Sequence, residues 1–234
     1  MTDEINEAPH PLATDQSRRD FLKRSAATGA LMWSAPAILS LPGGGAWANQ
    51  YPCPCPGCDA QATAASIGQL ALVRSDSGCQ CLANATLGSG TPSLSAQVAC
   101  AEANDAACTA RAFLAGVRIQ IGLNTFITAT TLSSCVDCGT GNSFVADLAL
   151  LVGSQSTPLQ LSANCNGTVL GLGNLATAVF NEQTCANGVL TVNALRVTVL
   201  GIDVIVGQSK AGAAGCPCQA CAQARCTPPR ERLC

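Results

Sequence analysis

The chain has 234 residues, of which only 11% are charged, and its formal net charge is −2. Because no basic stripe accompanies this near-neutral charge, a nucleic-acid partner is excluded. The only histidine, His10, lies in an N-terminal segment that we expect to be removed, so the rest of the chain lacks a Ser-His-Asp triad and an imidazole metal ligand. Acid–base chemistry would rest on scattered carboxylates, and we therefore predict a non-enzyme without a cofactor.

The N-terminal segment has the order of features of a twin-arginine export signal. Residues 17–23 read SRRDFLK, and Arg18, Arg19, Phe21 and Leu22 are the positions that carry the motif. Two chance arginines in an ordinary N-terminus are the alternative. The motif predicts a prokaryotic protein that leaves the cytoplasm.

A cleavage site follows the motif. A mildly apolar run over 25–41 precedes Ala46 and Ala48, which form an A-x-A cleavage pattern. The run is marginal for crossing about 30 Å of hydrocarbon, so an uncleaved anchor is the weaker interpretation. We expect a signal peptide over 1–48 and a mature chain from Asn49, with no membrane-spanning segment and a location in the periplasm, at the cell surface or outside the cell.

The mature chain begins with a Cys/Pro-rich stretch and continues as short apolar alternations separated by Gly, Pro, Asn and Ser. Prolines favour an extended arm over a central strand, and period-two alternation predicts strands. The candidate strands lie at 66–74, 93–99, 111–121, 124–132, 144–152, 159–163, 168–170 and 176–181.

Residues 188–207 carry the densest β-branched alternation and predict a central hairpin or bent strand. The alternation slips by one position at Ala194–Leu195, which indicates a β-bulge. Gly201 offers the turn before a second apolar run.

These features predict an all-β fold, a disulfide-stapled β-sandwich of short antiparallel strands with irregular Cys/Pro-rich arms at both ends. After the signal peptide, we expect an N-terminal arm over 49–65, the sandwich over 66–214 and a Cys-rich tail over 215–234.

The chain also carries a faint internal repeat. Residues 117–121 (VRIQI) align with 195–199 (LRVTV), and 126–128 (FIT) align with 204–206 (VIV). A duplicated hairpin, one per sheet, would explain the match, and chance similarity between alternating strands is the alternative.

The stretches VADLALLVG and FNEQTCANGVLTVNALRVTVLGIDVIVGQSKA are similar to the choice-of-anchor P family of bacterial surface and secreted proteins. The resemblance covers about 66–214 and is most specific at 181–183 (NEQ) and 192–195 (VNAL). It implies a β-rich exported domain without assigned catalytic residues. The chain departs from that pattern because a cysteine-rich tail stands where a sorting motif or apolar anchor would be.

All 16 cysteines follow the cleavage site, and an even number in an exported chain predicts a disulfide framework. We expect Cys165 to bond Cys185, because the two flank the strands before the central hairpin. Cys100 and Cys108 bracket a short polar segment, and we expect a bridge to close it.

Both arms contain the pattern C-P-C-x-x-C. Disulfides could join the arms to each other within one chain, or they could cross-link neighbouring molecules. A third possibility is a tetrathiolate metal site from the two C-x-x-C pairs. The motif cysteines are Cys53, Cys55, Cys58, Cys216, Cys218 and Cys221, and the metal ligands would be Cys55, Cys58, Cys218 and Cys221.

We therefore predict an exported, non-enzymatic structural or adhesive protein of the cell surface or the secreted fraction. An exported protein that binds metal through cysteine thiolates is the alternative. Partners are expected to be further copies of the chain or components of the cell envelope.

Overall fold

The computed structural model describes residues 57–162 and 164–222. This part of the chain folds into two antiparallel sheets and contains no helix, which confirms the predicted all-β class. The described strands are β1 (Asp59–Ile67), β2 (Leu70–Ala71), β3 (Arg74–Ser75), β4 (Gly78–Leu87), β5 (Ser93–Asn104), β6 (Thr109–Gly122), β7 (Thr125–Asp137), β8 (Thr140–Ala146), β9 (Ala149–Val152), β10 (Gln155–Pro158), β11 (Gln160–Leu161), β12 (Gly167–Leu170), β13 (Thr177–Ala186), β14 (Val189–Val199) and β15 (Ile202–Gly212).

The two sheets pack face to face as a sandwich. Sheet 1 has the strand order β11-β12-β13-β14-β15-β1-β2, with β3 also paired to β1. Sheet 2 has the order β10-β9-β7-β6-β5-β4, with β8 also paired to β7. One continuous hydrophobic core lies between them, drawn from alternate residues of β1, β5, β6, β7, β14 and β15. Such a core accounts for the period-two alternation in the sequence.

The predicted central hairpin is formed by β14 and β15, which lie in the middle of sheet 1. Leu200 and Gly201 make the turn, with φ values of 51° and 79°. Positive φ at both central residues is the geometry of the two-residue turns whose twist matches that of the flanking strands.

The predicted slip in β14 is present, but the predicted bulge is wrong. Leu190, Val192 and Ala194 face the core, and Leu195 and Val197 then continue the buried face. Pairing with β15 stays in step across this point, so neither strand contains an extra residue. The change in which side chains of β14 face the core instead coincides with a backbone rotation in the neighbouring strand β15.

That rotation lies at Gly207, which stands opposite Ala194 with φ of 66°. Asn181, on the other side of Ala194 in β13, also has a positive φ, of 48°. A Cβ on Gly207 would lie 3.0 Å from the Ala194 Cβ, so this crossing needs a residue without a side chain. The rotated residues Asn181 and Gly207 lie side by side with Ala194 across sheet 1. At this row, two consecutive residues of β14 and of β15 face the core.

Sheet 2 contains a similar row of rotated residues, but here two consecutive residues face outward instead of towards the core. Its positive-φ residues are Asn84 in β4 and Gly116 in β6, with φ values of 50° and 60°. Here the buried residues of β6 are Leu114 and then Val117, so Ala115 and Gly116 both turn towards the outer face. Two small outward residues in succession leave a hollow on the surface of sheet 2.

Several element boundaries differ from the sequence prediction. The predicted strand over 66–74 is wrong, because β1 ends at Ile67 and the chain turns at Gly68, with φ of 56°, before the two-residue strands β2 and β3. β1 begins at Asp59, within the stretch predicted to be an arm, and β4 replaces a predicted connection. The predicted strand over 144–152 is two strands, because Asp147 has φ of 52° between them. β1 contains four alanines, and β4 contains two alanines, a glycine and an asparagine. The weak intrinsic β-propensity of these residues hid both strands, and pairing with β15 and β5 holds them in place.

Candidate functional site

Four disulfides are defined within the described residues. They join Cys58 to Cys108, Cys81 to Cys100, Cys165 to Cys221 and Cys185 to Cys218. Cys79, Cys135, Cys138 and Cys216 are disulfide-bonded as well. No cysteine in the described part of the chain is free.

The predicted Cys165–Cys185 and Cys100–Cys108 pairings are wrong, and strand register explains why. Continuing the register of β12 against β13 places Cys165 beside Glu182, three residues from Cys185. Three residues of strand span about 10 Å, which exceeds the Cα separation that a disulfide allows. Cys108 likewise lies at the β5–β6 turn, five residues along β5 from Cys100.

Three bonded cysteines of the arms attach them to the body of the sandwich. Cys58 bonds to the β5–β6 turn through Cys108, and the Ala60 amide donates a 2.8 Å hydrogen bond to the nearby Asp105 Oδ1. Cys218 and Cys221 fasten the tail to β13 and to the segment before β12. Arm-to-arm bonding is therefore wrong for these three cysteines, while Cys53 and Cys55 lie outside the described residues.

The structure does not leave the thiolates that the metal alternative requires. Of its four ligands, Cys58, Cys218 and Cys221 are in disulfides, whose sulfurs are not thiolate ligands, and Cys55 lies outside the described residues. Elsewhere in the described residues no cluster of three or more His, Cys, Asp or Glu is arranged to hold a metal ion.

The predicted export and cleavage residues also lie outside the described part of the chain. They are Arg18, Arg19, Phe21, Leu22, Ala46 and Ala48.

The NEQ stretch docks the tail and links the two sheets. The Gln183 side chain is buried, its Nε2 donates to the Gly141 carbonyl of β8 at 3.1 Å, and its Oε1 accepts from the Cys221 amide at 2.8 Å. Asn181 Oδ1 accepts hydrogen bonds from Ser143 Oγ in sheet 2 and from Gln183 Nε2. These side chains hold the fold together.

Two scattered carboxylates meet at one arginine on the outer face of sheet 1. Arg196 Nη2 lies 2.7 Å from Glu182 Oε1, and its Nη1 lies 3.7 Å from Asp203 Oδ2. The second Glu182 oxygen accepts from Asn193, and the Thr198 hydroxyl donates to Asp203 at 2.6 Å. The carboxylates thus neutralise this cation through its terminal nitrogens, while the buried Arg196 Nε has no hydrogen-bond partner among the described residues.

The corresponding outer face of sheet 2 carries an arginine with a different environment. Arg118 stacks on Phe126, with its guanidinium carbon 3.6 Å from the ring centroid. Among the described residues no carboxylate lies within ion-pair distance of this guanidinium. Arg118 is exposed and borders two adjoining hollows of about 510 Å³ and 200 Å³.

Arg118 and Arg196 occupy matching positions in the two hairpins. Both hairpins exist, one in each sheet, as the duplicated-hairpin hypothesis predicts. Register shows that Phe126 matches Asp203, rather than Val204 as the sequence alignment had it, because β6 has an irregularity between Gln120 and Gly122. The position of Asp203, the more distant of the two carboxylates at Arg196, is therefore occupied by an aromatic ring in sheet 2.

Sequence reasoning missed Arg118 and Phe126 as candidate site residues. The one available signal was the aligned pair of arginines, only one of which has a carboxylate two residues before its cross-strand partner. That signal can be interpreted only when the pairing register of the β6–β7 and β14–β15 hairpins is known.

No helix in the described residues has the length and apolar character needed to cross a membrane. A scan of protein-family models, a search of curated proteins and a search of solved structures each found no match.

Proposed function

We propose that this protein is an exported, non-enzymatic structural or adhesive component of the cell surface or the secreted fraction. Its many disulfides indicate an oxidising extracellular or periplasmic environment. The twin-arginine motif and the similarity to the choice-of-anchor P family support export, and the histidine-free mature chain supports a role without catalysis.

The observation that carries the structural role is the outer edge of β4, with which no described strand pairs. This strand is ten residues long, contains no charged residue and no proline, and pairs only with β5 among the described strands. Long uncharged edges are templates for pairing with another chain, and proteins that stay monomeric usually shorten them or add Lys or Pro. The β4 edge has none of these protections.

The other edge strands of the described sheets are shorter than β4. The longest of them is β8, which has seven residues without a charge or a proline and pairs only with β7. The outer strands β2 and β11 have two residues each, and β10 has four and ends at Pro158. A second copy that presents its own β4 is therefore the occupant we propose, since two uncharged edges pair without like-charge repulsion. Antiparallel pairing would join two copies of sheet 2 into one continuous sheet.

The test is the oligomeric state of the mature protein carrying Leu82→Lys, measured by sedimentation over a range of concentrations. Leu82 lies in β4 with 49% of its surface exposed. We expect concentration-dependent dimers of the wild type and monomers of the variant. Leu123→Lys is the matched control, because Leu123 is 92% exposed in the β6–β7 turn.

Two outcomes would overturn the proposal. One is a wild type that stays monomeric at all concentrations, with β4 amides protected from hydrogen exchange, which would indicate that the chain covers its own edge. The other is a dimer that Leu82→Lys leaves intact.

A further inference from the structure

We propose that the two hollows around Arg118 form a binding site for a carboxylate-bearing saccharide, such as a uronic acid within a glycan. The site lies on the outer face of sheet 2. Thr86 of β4 lines the smaller hollow, whereas Leu82, the position of the self-association test, lines neither hollow. It would supply the adhesive contact in the proposed function, so the inference rests on that function in this respect.

The first step is the contrast between the two matching arginines. Arg196 is paired with Glu182 and Asp203. Phe126 takes the place of Asp203 beside Arg118, and no carboxylate of the described residues lies within ion-pair distance of Arg118. The ring holds the guanidinium by a cation–π contact and leaves its edge for a ligand. The same scaffold thus carries one neutralised arginine and one stacked arginine without a carboxylate partner.

The second step is the shape of the surface beside Arg118. Ala115 and Gly116 both face outward at the slip of β6 and give the larger hollow a floor of small residues. The Gln97 side chain lies over Gly116, where an added Cβ would come within 2.6 Å of it. A volume of about 510 Å³ is in the range of small-molecule sites.

The third step is the polar lining. Thr128, Thr130 and Thr131 bring hydroxyls to the larger hollow, and Ser93 and Ser95 bring hydroxyls to the smaller one. Hydroxyl and amide groups donate and accept hydrogen bonds, which suits a ligand that itself carries several hydroxyls. An open, hydroxyl-lined surface offers little to a purely apolar ligand.

The fourth step is the charge balance, which favours a singly charged anion. Among the described residues, Arg118 is the one cationic side chain that lines either hollow. Asp147 also lines the larger hollow, where its Oδ2 accepts a 2.8 Å hydrogen bond from Thr130 Oγ1. A dianionic phosphate would meet this carboxylate, whereas a carboxylated sugar can pair with Arg118 and donate a hydroxyl to Asp147.

The test is titration of the mature protein with digalacturonate, with digalactose as the neutral probe and acetate and inorganic phosphate as anion probes. We expect digalacturonate to bind and digalactose to bind at least about tenfold more weakly, because a charge-assisted pair is lost. Arg118→Gln should weaken digalacturonate binding by about the same factor. Arg118→Lys should fall between the two, because it keeps the charge but loses the planar donor pair.

Arg74→Gln is the matched control, since Arg74 is an exposed arginine of sheet 1 that does not line either hollow. It should leave binding unchanged. Chemical-shift changes on adding digalacturonate should centre on Phe126 and Thr128.

Several results would overturn the site. They are equal binding of digalactose and digalacturonate, tighter binding of phosphate or acetate than of digalacturonate, unchanged binding by Arg118→Gln, and no binding of any probe. Parallel measurement of the Leu82→Lys variant separates the two proposals, because loss of self-association should not change binding at Arg118.

Discussion

Ser134 and Ser209 hydrogen-bond to each other across the core, with their hydroxyl oxygens 2.6 Å apart. Ser134 belongs to β7 in sheet 2 and Ser209 to β15 in sheet 1, and both are buried. Each hydroxyl therefore satisfies the other where water does not reach. The bond fixes how β15 and β7 lie against one another within an otherwise apolar layer.

Replacing either serine alone should lower the free energy of unfolding by more than half of the loss caused by replacing both. Ser134→Ala leaves the Ser209 hydroxyl buried without this partner, and we expect the free energy of unfolding to fall by about 1–3 kcal/mol. The double variant with Ser209→Ala should lose less than the sum of the single losses, because no polar group is left stranded. Denaturant unfolding measures all three, with the exposed Ser156→Ala as the control. Strict additivity would show that the two hydroxyls do not interact.

Gly207→Ala should destabilise the protein more than Gly153→Ala does. The two glycines have similar φ values, 66° and 60°, so both alanines bear a left-handed backbone cost of about 1–2 kcal/mol. Only at Gly207 does the new methyl group also meet the core, close to Ala194, while the space at Gly153 is open. Overpacking should add about 1–3 kcal/mol, measured by thermal or denaturant unfolding. Equal losses of stability in the two variants would mean that sheet 1 accommodates the extra methyl group beside Ala194 without a penalty.

The carboxyl of Asp76 should titrate below its ordinary value of 3.8, because hydrogen bonds from Arg74 and then Gln61 lower its pKa. A lowered folded-state pKa contributes stability above the unfolded-state pKa, and that stability is lost as the pH falls through the folded-state pKa. The contribution is small, since the pair is exposed. Carboxyl NMR titration should show Arg74→Gln raising the pKa of Asp76, and Gln61→Ala raising it less. A larger effect of Gln61→Ala would reverse this order of causes.

Digestion of the unreduced protein with pepsin at low pH should release cystine peptides that join the pairs seen in the structure. Low pH prevents thiol–disulfide exchange because the thiolate is absent. Mass spectrometry should identify links between Cys58 and Cys108, and between Cys185 and Cys218. A peptide joining Cys165 to Cys185 would contradict the register of β12 against β13, and the same digest of reduced protein is the control.

The parts of the fold that could be predicted from sequence are those where large β-branched residues alternate. β6, β7, β14 and β15 are of this kind, and the slip at Ala194 was visible because both halves of β14 are strongly apolar. β1 was missed because its buried positions are alanines, which bury well but do not favour strands by themselves. β4 was missed because partners across the sheet, rather than its own residues, determine its conformation.

The candidate site could not be predicted from the sequence of a single strand, because it depends on how neighbouring strands pair. Whether Arg118 is paired depends on residues of both neighbouring strands, and the irregularity in β6 shifts the residue across the hairpin by one position. The hollow beside it arises from backbone rotation at Gly116, which changes the direction of its neighbours. Disulfide pairing is non-local in the same way, because Cys165 and Cys221 are 56 residues apart in sequence.

The bonds that fasten the tail also change what a protease can achieve. The exposed turn at Leu200 lies inside both loops closed by Cys165–Cys221 and Cys185–Cys218. A cut there divides the backbone, yet two covalent links still connect the pieces, and β13 to β15 stay in their sheet. In surroundings rich in secreted proteases, the backbone can therefore be cut at this turn while the two fragments stay joined. The fragments separate only when the disulfides are reduced.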